Sequence, residues 1–143
     1  MKSTLFSALL LFLSFTACQS PSSSEASKTS TASSSTTAGS SVVTLTVQEF
    51  AAQSSKGTLL DVRTAGEVTQ GKIEGAQVID FYSPDFLDQV SQISKDQEVY
   101  LYCAVGARSE EAARMLLQQG YTKVYHLQGG IQSWSQEGLP VVH

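Results

Sequence analysis

Residues 99–120 read VYLYCAVGARSEEAARMLLQQG, and three textures follow one another within them. Val99-Tyr100-Leu101-Tyr102 is a short apolar run that reads as a strand. Cys103-Ala104-Val105-Gly106-Ala107-Arg108 is a loop of small residues closed by one cation. From Ser109 a helical pattern begins. Glu110 and Glu111 occupy its first turn, where carboxylates favour the helix dipole. Ala112, Met115 and Leu116 form an apolar stripe at helical spacing, and Gly120 stands where a C-terminal stop is expected.

Working outward, the same alternation of strand and helix recurs. Val42-Val43-Thr44-Leu45, Thr58-Leu59-Leu60-Asp61, Gln77-Val78-Ile79 and Lys123-Val124-Tyr125-His126 read as further strands, with Glu98 opening the one that ends at Tyr102. Thr46 is placed to cap a short helix through Phe50 and Ala51, with Glu49 as its capping-box partner. Other helices are expected over 65–70, 84–92, 109–119 and 131–137. Short apolar strands separated by amphipathic stretches predict an α/β fold, a five-stranded parallel sheet with helices on both faces. Ligands of open parallel sheets bind beyond the carboxyl ends of the strands. The loop from Cys103 to Arg108 occupies that position, and Asp61, Arg63 and His126 are expected toward the same edge.

A cysteine at the exit of a buried strand, before a helix N-terminus, is a place to stabilise a thiolate. The N–H groups of the loop converge, and the helix adds roughly half a positive charge at its start. Either effect lowers a thiol pKa from about 8.5 toward neutrality and makes the sulfur a nucleophile.

The N-terminus has a different character. Met1-Lys2 and the apolar stretch from Leu5 to Phe15 have the layout of a secretory signal, too short to span a bilayer. Phe15-Thr16-Ala17-Cys18 resembles a bacterial lipobox, which implies a signal peptide over 1–17 and lipid on Cys18. Residues 18–41 then form a lipidated cysteine and a linker rich in Ser and Thr, expected to be disordered with an r.m.s. reach of about 25 Å. The expected folded domain covers 42–143. The chain has two cysteines; with lipid on Cys18, Cys103 is left as the free thiol and no internal disulfide is available. A net charge of −4, without any run of Lys or Arg, argues against nucleic acid as a partner. The expected location is the cell envelope outside the cytoplasm, with attachment through the lipid. Gln19 stands where an aspartate would be associated with inner-membrane retention, which favours an outer membrane where the cell has one.

Four segments in order carry a resemblance to single-domain rhodaneses of the sulfurtransferase family. They are Asp61-Val62-Arg63-Thr64, then Gly71-Lys72-Ile73-Glu74-Gly75-Ala76, then Cys103 to Ser109. The fourth is Leu127-Gln128-Gly129-Gly130-Ile131 with Trp134 and Gly138-Leu139-Pro140-Val141. Lys72 stands where members usually carry histidine. The resemblance implies a thiosulfate:cyanide sulfurtransferase-like enzyme in which the Cys103 thiolate takes the outer sulfur of a donor, thiosulfate or a persulfide or polysulfide, and holds it as a persulfide. A thiol or cyanide acceptor removes it in a second step. The amides of Ala104, Val105, Gly106, Ala107 and Arg108 would cradle the persulfide and the donor. Arg108 would face an oxyanion through its planar fork, and Asp61 and Arg63 would hold the loop from below. Members that handle thiosulfate often carry a basic residue just after the cysteine. Ala104 and Val105 stand there in this chain, which implies weaker binding of a dianion.

No cofactor or metal is implied, and a monomer is expected. Trp134 and Phe50 are read as core and His126 as a structural histidine. Four residues separate Cys103 from Arg108, one fewer than in the cysteine phosphatases with a comparable loop, and the narrower cradle suits sulfur better than a phosphate ester. The alternative is a tethered rhodanese-like domain that carries or senses sulfur, or binds a protein, without turnover.

Overall fold

The computed structural model describes residues 41–143. The expected signal segment, Cys18 and all but the last residue of the linker lie outside the described residues. Five strands are present: β1 Val43–Leu45, β2 Thr58–Asp61, β3 Gln77–Val78, β4 Val99–Tyr102 and β5 Val124–Leu127. They pair in the order β1-β5-β4-β2-β3, and every pairing is parallel. Four α-helices connect them and a fifth follows β5: α1 Val47–Gln53, α2 Ala65–Val68, α3 Phe86–Val90, α4 Ala107–Gln118 and, last, α5 Gly130–Gln136. The α/β class, the strand count and the parallel sense agree with the sequence reading.

The period of two along the central strand divides the interior into two cores. Val99 and Leu101 point to one face and meet Phe86 and Val90 of α3 and Ala112, Ala113 and Leu116 of α4. Tyr100 and Tyr102 point to the other and meet Val47 and Phe50 of α1, Trp134 of α5, and Leu127. Cys103 continues the first set and is packed into that core. On the second face Phe50 stands edge-on to both Tyr100 and Trp134, at centroid distances of 5.8 and 6.4 Å. Each fully buried side chain of this size contributes about 1.5–3 kcal/mol, so β4 and its two helical covers anchor the molecule.

Local signals set the element boundaries. The capping box at Thr46 forms: the Thr46 N–H donates to the Glu49 carboxylate at 2.9 Å, and the Glu49 N–H donates back to the Thr46 hydroxyl. Thr64 and Glu67 repeat that T-x-x-E pattern at the start of α2. The helix after the reactive loop begins at Ala107, two residues before the expected Ser109. Gly106 causes the shift. At φ 102° it turns the chain, and its carbonyl already accepts the Glu110 N–H at 3.0 Å. Ala107 and Arg108 therefore belong to the first turn of α4, not to a free loop. The chain closes with a two-way backbone bridge between Lys72 and Val142, each N–H donating to the other's carbonyl at 2.8 Å.

Candidate active site

The turn from Cys103 to Gly106 has its carbonyls directed away from the sulfur. The Cys103 carbonyl accepts the Ile131 N–H at 2.8 Å and the Ala104 carbonyl accepts the Gln132 N–H at 3.1 Å. These donors are first-turn amides of α5, which otherwise lack partners. The Gly106 carbonyl is held by Glu110 and by the Ser109 hydroxyl at 2.9 Å. With the acceptors so engaged, the amides turn inward, and the Gly106 N–H donates to Cys103 Sγ at 3.1 Å.

Cys103 itself is fully buried. Burial penalises its thiolate, but the N–H and hydroxyl of Ser109 and the amides of Gly106 and Val105 outweigh that penalty, and the thiol pKa is lowered from its ordinary value. Ser109 is fully buried as well. Its hydroxyl has one hydrogen, which the Gly106 carbonyl takes in the geometry described; rotation about the C–O bond turns it toward an ionised sulfur. In the sequence Ser109 marks a helix start and closes the Cys103 segment of the resemblance; nothing local to it shows that its side chain is buried against the turn.

Ala104 and Val105 form the outer lip of the turn, and Val105 leaves 59% of its surface in solvent. Arg108 points to the opposite flank and is not free. Its Nη1 and Nη2 donate to the two carboxylate oxygens of Glu67 at 2.8 and 2.5 Å, and its guanidinium lies 5.6 Å from the ring centre of Tyr82. The Arg108 fork is the main reason that the Glu67 carboxyl is pulled down to about 2, against the opposing effect of partial burial. Glu67 and Tyr82 were not singled out from the sequence. Glu67 lies 41 positions from Arg108, and nothing local marks it except the T-x-x-E cap.

Asp61 and Arg63 form a buried bidentate pair with an N–O distance of 2.6 Å. The pair lies beside the end of β4: Asp61 is in register with Tyr102, the residue before Cys103, and the Arg63 guanidinium stands 5.7 Å from the Tyr102 ring centre. Arg63 Nη2 donates to the Gly71 carbonyl at 2.7 Å and Nη1 to the Glu67 carbonyl at 3.3 Å. The pair thus fixes the backbone that carries Glu67, and Glu67 in turn holds Arg108. On the other flank, His126 is 4% exposed. Its Nε2 lies 2.9 Å from the Thr44 hydroxyl, its register neighbour on β1, while Nδ1 has no hydrogen-bond partner. Burial keeps its pKa below 6.5, so it is neutral at pH 7.

The Gly129-Gly130 pair explains how α5 comes so close. Gly130 has φ 60°, and a side chain there would stand within 2.6 Å of the Ala104 carbonyl carbon and oxygen. Only glycine lets the α5 amides reach the loop carbonyls.

Comparison with known proteins agrees with this geometry. Residues 46–137 match the Rhodanese-like domain family. A protein of Allochromatium vinosum named Sulfurtransferase is 43% identical over 84 residues, covering 59% of this chain and 77% of the relative. The chloroplastic Thiosulfate sulfurtransferase 16 of Arabidopsis thaliana is 36% identical over 91 residues, covering 57% of this chain and 76% of the relative. Among solved structures, a rhodanese-related protein from Thermoplasma volcanium superposes with a TM-score of 0.64 at 30% identity, covering 70% of this chain and 97% of that one. A strand-end cysteine in an amide-lined turn, on a five-stranded parallel sheet of this order, has a family to which it answers: the chain belongs to the rhodanese-like domain family.

Proposed function

We propose that the domain transfers sulfane sulfur through a persulfide on Cys103. The observation that carries this reading is the Gly106 N–H donated at 3.1 Å to the buried Cys103 sulfur, in a turn whose carbonyls are held by α5 and by the start of α4. Such a cradle stabilises negative charge on a thiolate and equally on the terminal sulfur of a persulfide. In the first half-reaction the Cys103 thiolate attacks the outer sulfur of the donor. A new S–S bond forms, the donor's own bond to that sulfur breaks, and the electron pair leaves with a thiolate or, from thiosulfate, with sulfite. In the second half a nucleophilic acceptor attacks the outer sulfur and restores the Cys103 thiolate. No net oxidant is consumed. Relatives named as sulfurtransferases support the reaction class; thiosulfate as donor and cyanide as acceptor belong to the same proposal.

The test is an intact-mass measurement on the domain after exposure to thiosulfate or to an organic persulfide. One added sulfur atom is expected, removed by cyanide or a thiol and absent in Cys103→Ser. Failure to gain sulfur from any donor overturns the reading, and a stable adduct that no acceptor discharges replaces the enzyme with a sulfur carrier. The proposed setting is the cell envelope, on a lipid tether from Cys18. Metabolic labelling with a tagged fatty acid is expected to mark the full chain and not Cys18→Ala; label retained by that variant overturns the tether.

A further inference from the structure

Arg108 is the one cation between Cys103 and Ser109, and its charge is cancelled before any donor arrives. Both Nη groups are committed to Glu67, one face of the guanidinium lies against Tyr82, and Glu67 is itself held by the Thr64 N–H and hydroxyl at 3.1 and 2.9 Å. The remaining lip is uncharged: Ala104, Val105 and Ala107. We propose that Glu67 sets the charge of the donor, by neutralising Arg108 and so biasing the Cys103 site toward an organic persulfide of low charge over a dianion such as thiosulfate. This inference rests on the sulfur-transfer reading above and names its substrate class.

The physical reason is a choice forced on a dianion. Either it draws Arg108, whose charge is felt at Cys103, away from a two-fold carboxylate pair, which is among the stronger polar contacts available, or it meets an Arg108 whose charge Glu67 has already offset. A hydropersulfide, R–S–SH, faces neither cost. The Cys103 thiolate forms a new S–S bond to its outer sulfur, which keeps its proton as Cys103–S–SH, the S–S bond of the donor breaks, and R–S⁻ departs with the electron pair. Since Glu67 stays ionised down to about pH 2, ordinary changes of assay pH do not release the clamp.

The experiment measures second-order loading of Cys103 from thiosulfate and from the persulfide of 2-mercaptoethanol, at low and high salt, in wild type, Glu67→Gln and Glu67→Asp. The ratio of the two rates is the readout, because damage to the loop lowers both together. Glu67→Gln is expected to raise the thiosulfate-to-persulfide ratio by about tenfold, the size of one partly screened charge, and to make thiosulfate loading fall with salt. Glu67→Asp keeps the charge and is expected to keep the wild-type ratio. An unchanged ratio in Glu67→Gln, or the same rise in Glu67→Asp, overturns the proposal and leaves sulfur transfer standing. No loading of wild type from either donor overturns both.

Discussion

At the scale of single residues, Cys103 Sγ, the Gly106 N–H donated to it and the Ser109 hydroxyl on the Gly106 carbonyl set the chemistry. Because the donors favour the charged form, alkylation of Cys103 by iodoacetamide should reach half its maximal rate at a lower pH than that of an ordinary cysteine in an unfolded peptide. Ser109→Ala should move that midpoint up, and a midpoint that stays put would assign the shift to the backbone alone. Gly130→Ala addresses the other side of the turn. It places a methyl against the Ala104 carbonyl at a backbone angle that favours glycine, and a loss of about 2 kcal/mol or more in chemical denaturation is expected, with loss of Cys103 reactivity. His126 gives a stability test with a definite sign. Its folded pKa lies below 6.5 through burial, with Glu110 opposing and Arg114 reinforcing the shift. As pH falls below 6.5 the unfolded chain binds a proton that the folded one resists, so stability should decline there. His126→Gln should flatten that part of the pH–stability curve; an unchanged slope would show that another group is responsible.

At the scale of elements, α2 does more than its four residues suggest. It presents Glu67 to Arg108 on α4, and its backbone is gripped by the Asp61–Arg63 pair, so strand, short helix and reactive turn form one connected chain of contacts. Thr64→Ala removes the cap and one support of the Glu67 carboxylate, with an expected cost of about 1 kcal/mol. The same carboxyl contributes a pH-dependent term. Its pKa is depressed from 4.5 to about 2, so its stabilisation is present above pH 4.5 and fades as pH drops toward 2. Thermal melts across that interval should show a shallower decline in Glu67→Gln than in wild type. The elements were legible where periodicity and caps are local: β2 lies at its expected residues, and the Thr46–Glu49 box is formed. The start of α4 was not, because the positive φ of Gly106 let the helix begin inside what reads as a loop. The T-x-x-E cap of α2 was there to be read but says nothing about what Glu67 reaches.

At the scale of the whole molecule, the C-terminal segment acts as a clasp. The Lys72–Val142 bridge and the Trp134 Nε1–H bond to the Pro140 carbonyl at 2.9 Å tie the end of the chain to the segment after α2 and cover one edge of the second core. Deleting residues 140–143 should lower the melting temperature by about 5 °C, the shift expected for roughly 1 kcal/mol in a domain of this size, while leaving the Cys103 turn intact. A larger fall accompanied by loss of Cys103 reactivity would mean that the clasp also shapes the site.

Hydrophobic period, caps and glycines are properties of neighbouring residues, and from them the sequence by itself determined the α/β class, the five parallel strands and the place of the Cys103 turn at a strand exit. Contacts between distant residues belong to tertiary structure. That Arg108 is neutralised by Glu67, that Asp61 and Arg63 grip both the backbone of α2 and the strand residue before Cys103, and that the α5 amides take the loop carbonyls were decided by packing alone. Charge and hydrogen-bond pairing depend on distances of a few ångströms in space, and residues 41 positions apart acquire such a distance only when the sheet has brought β2 and β4 side by side.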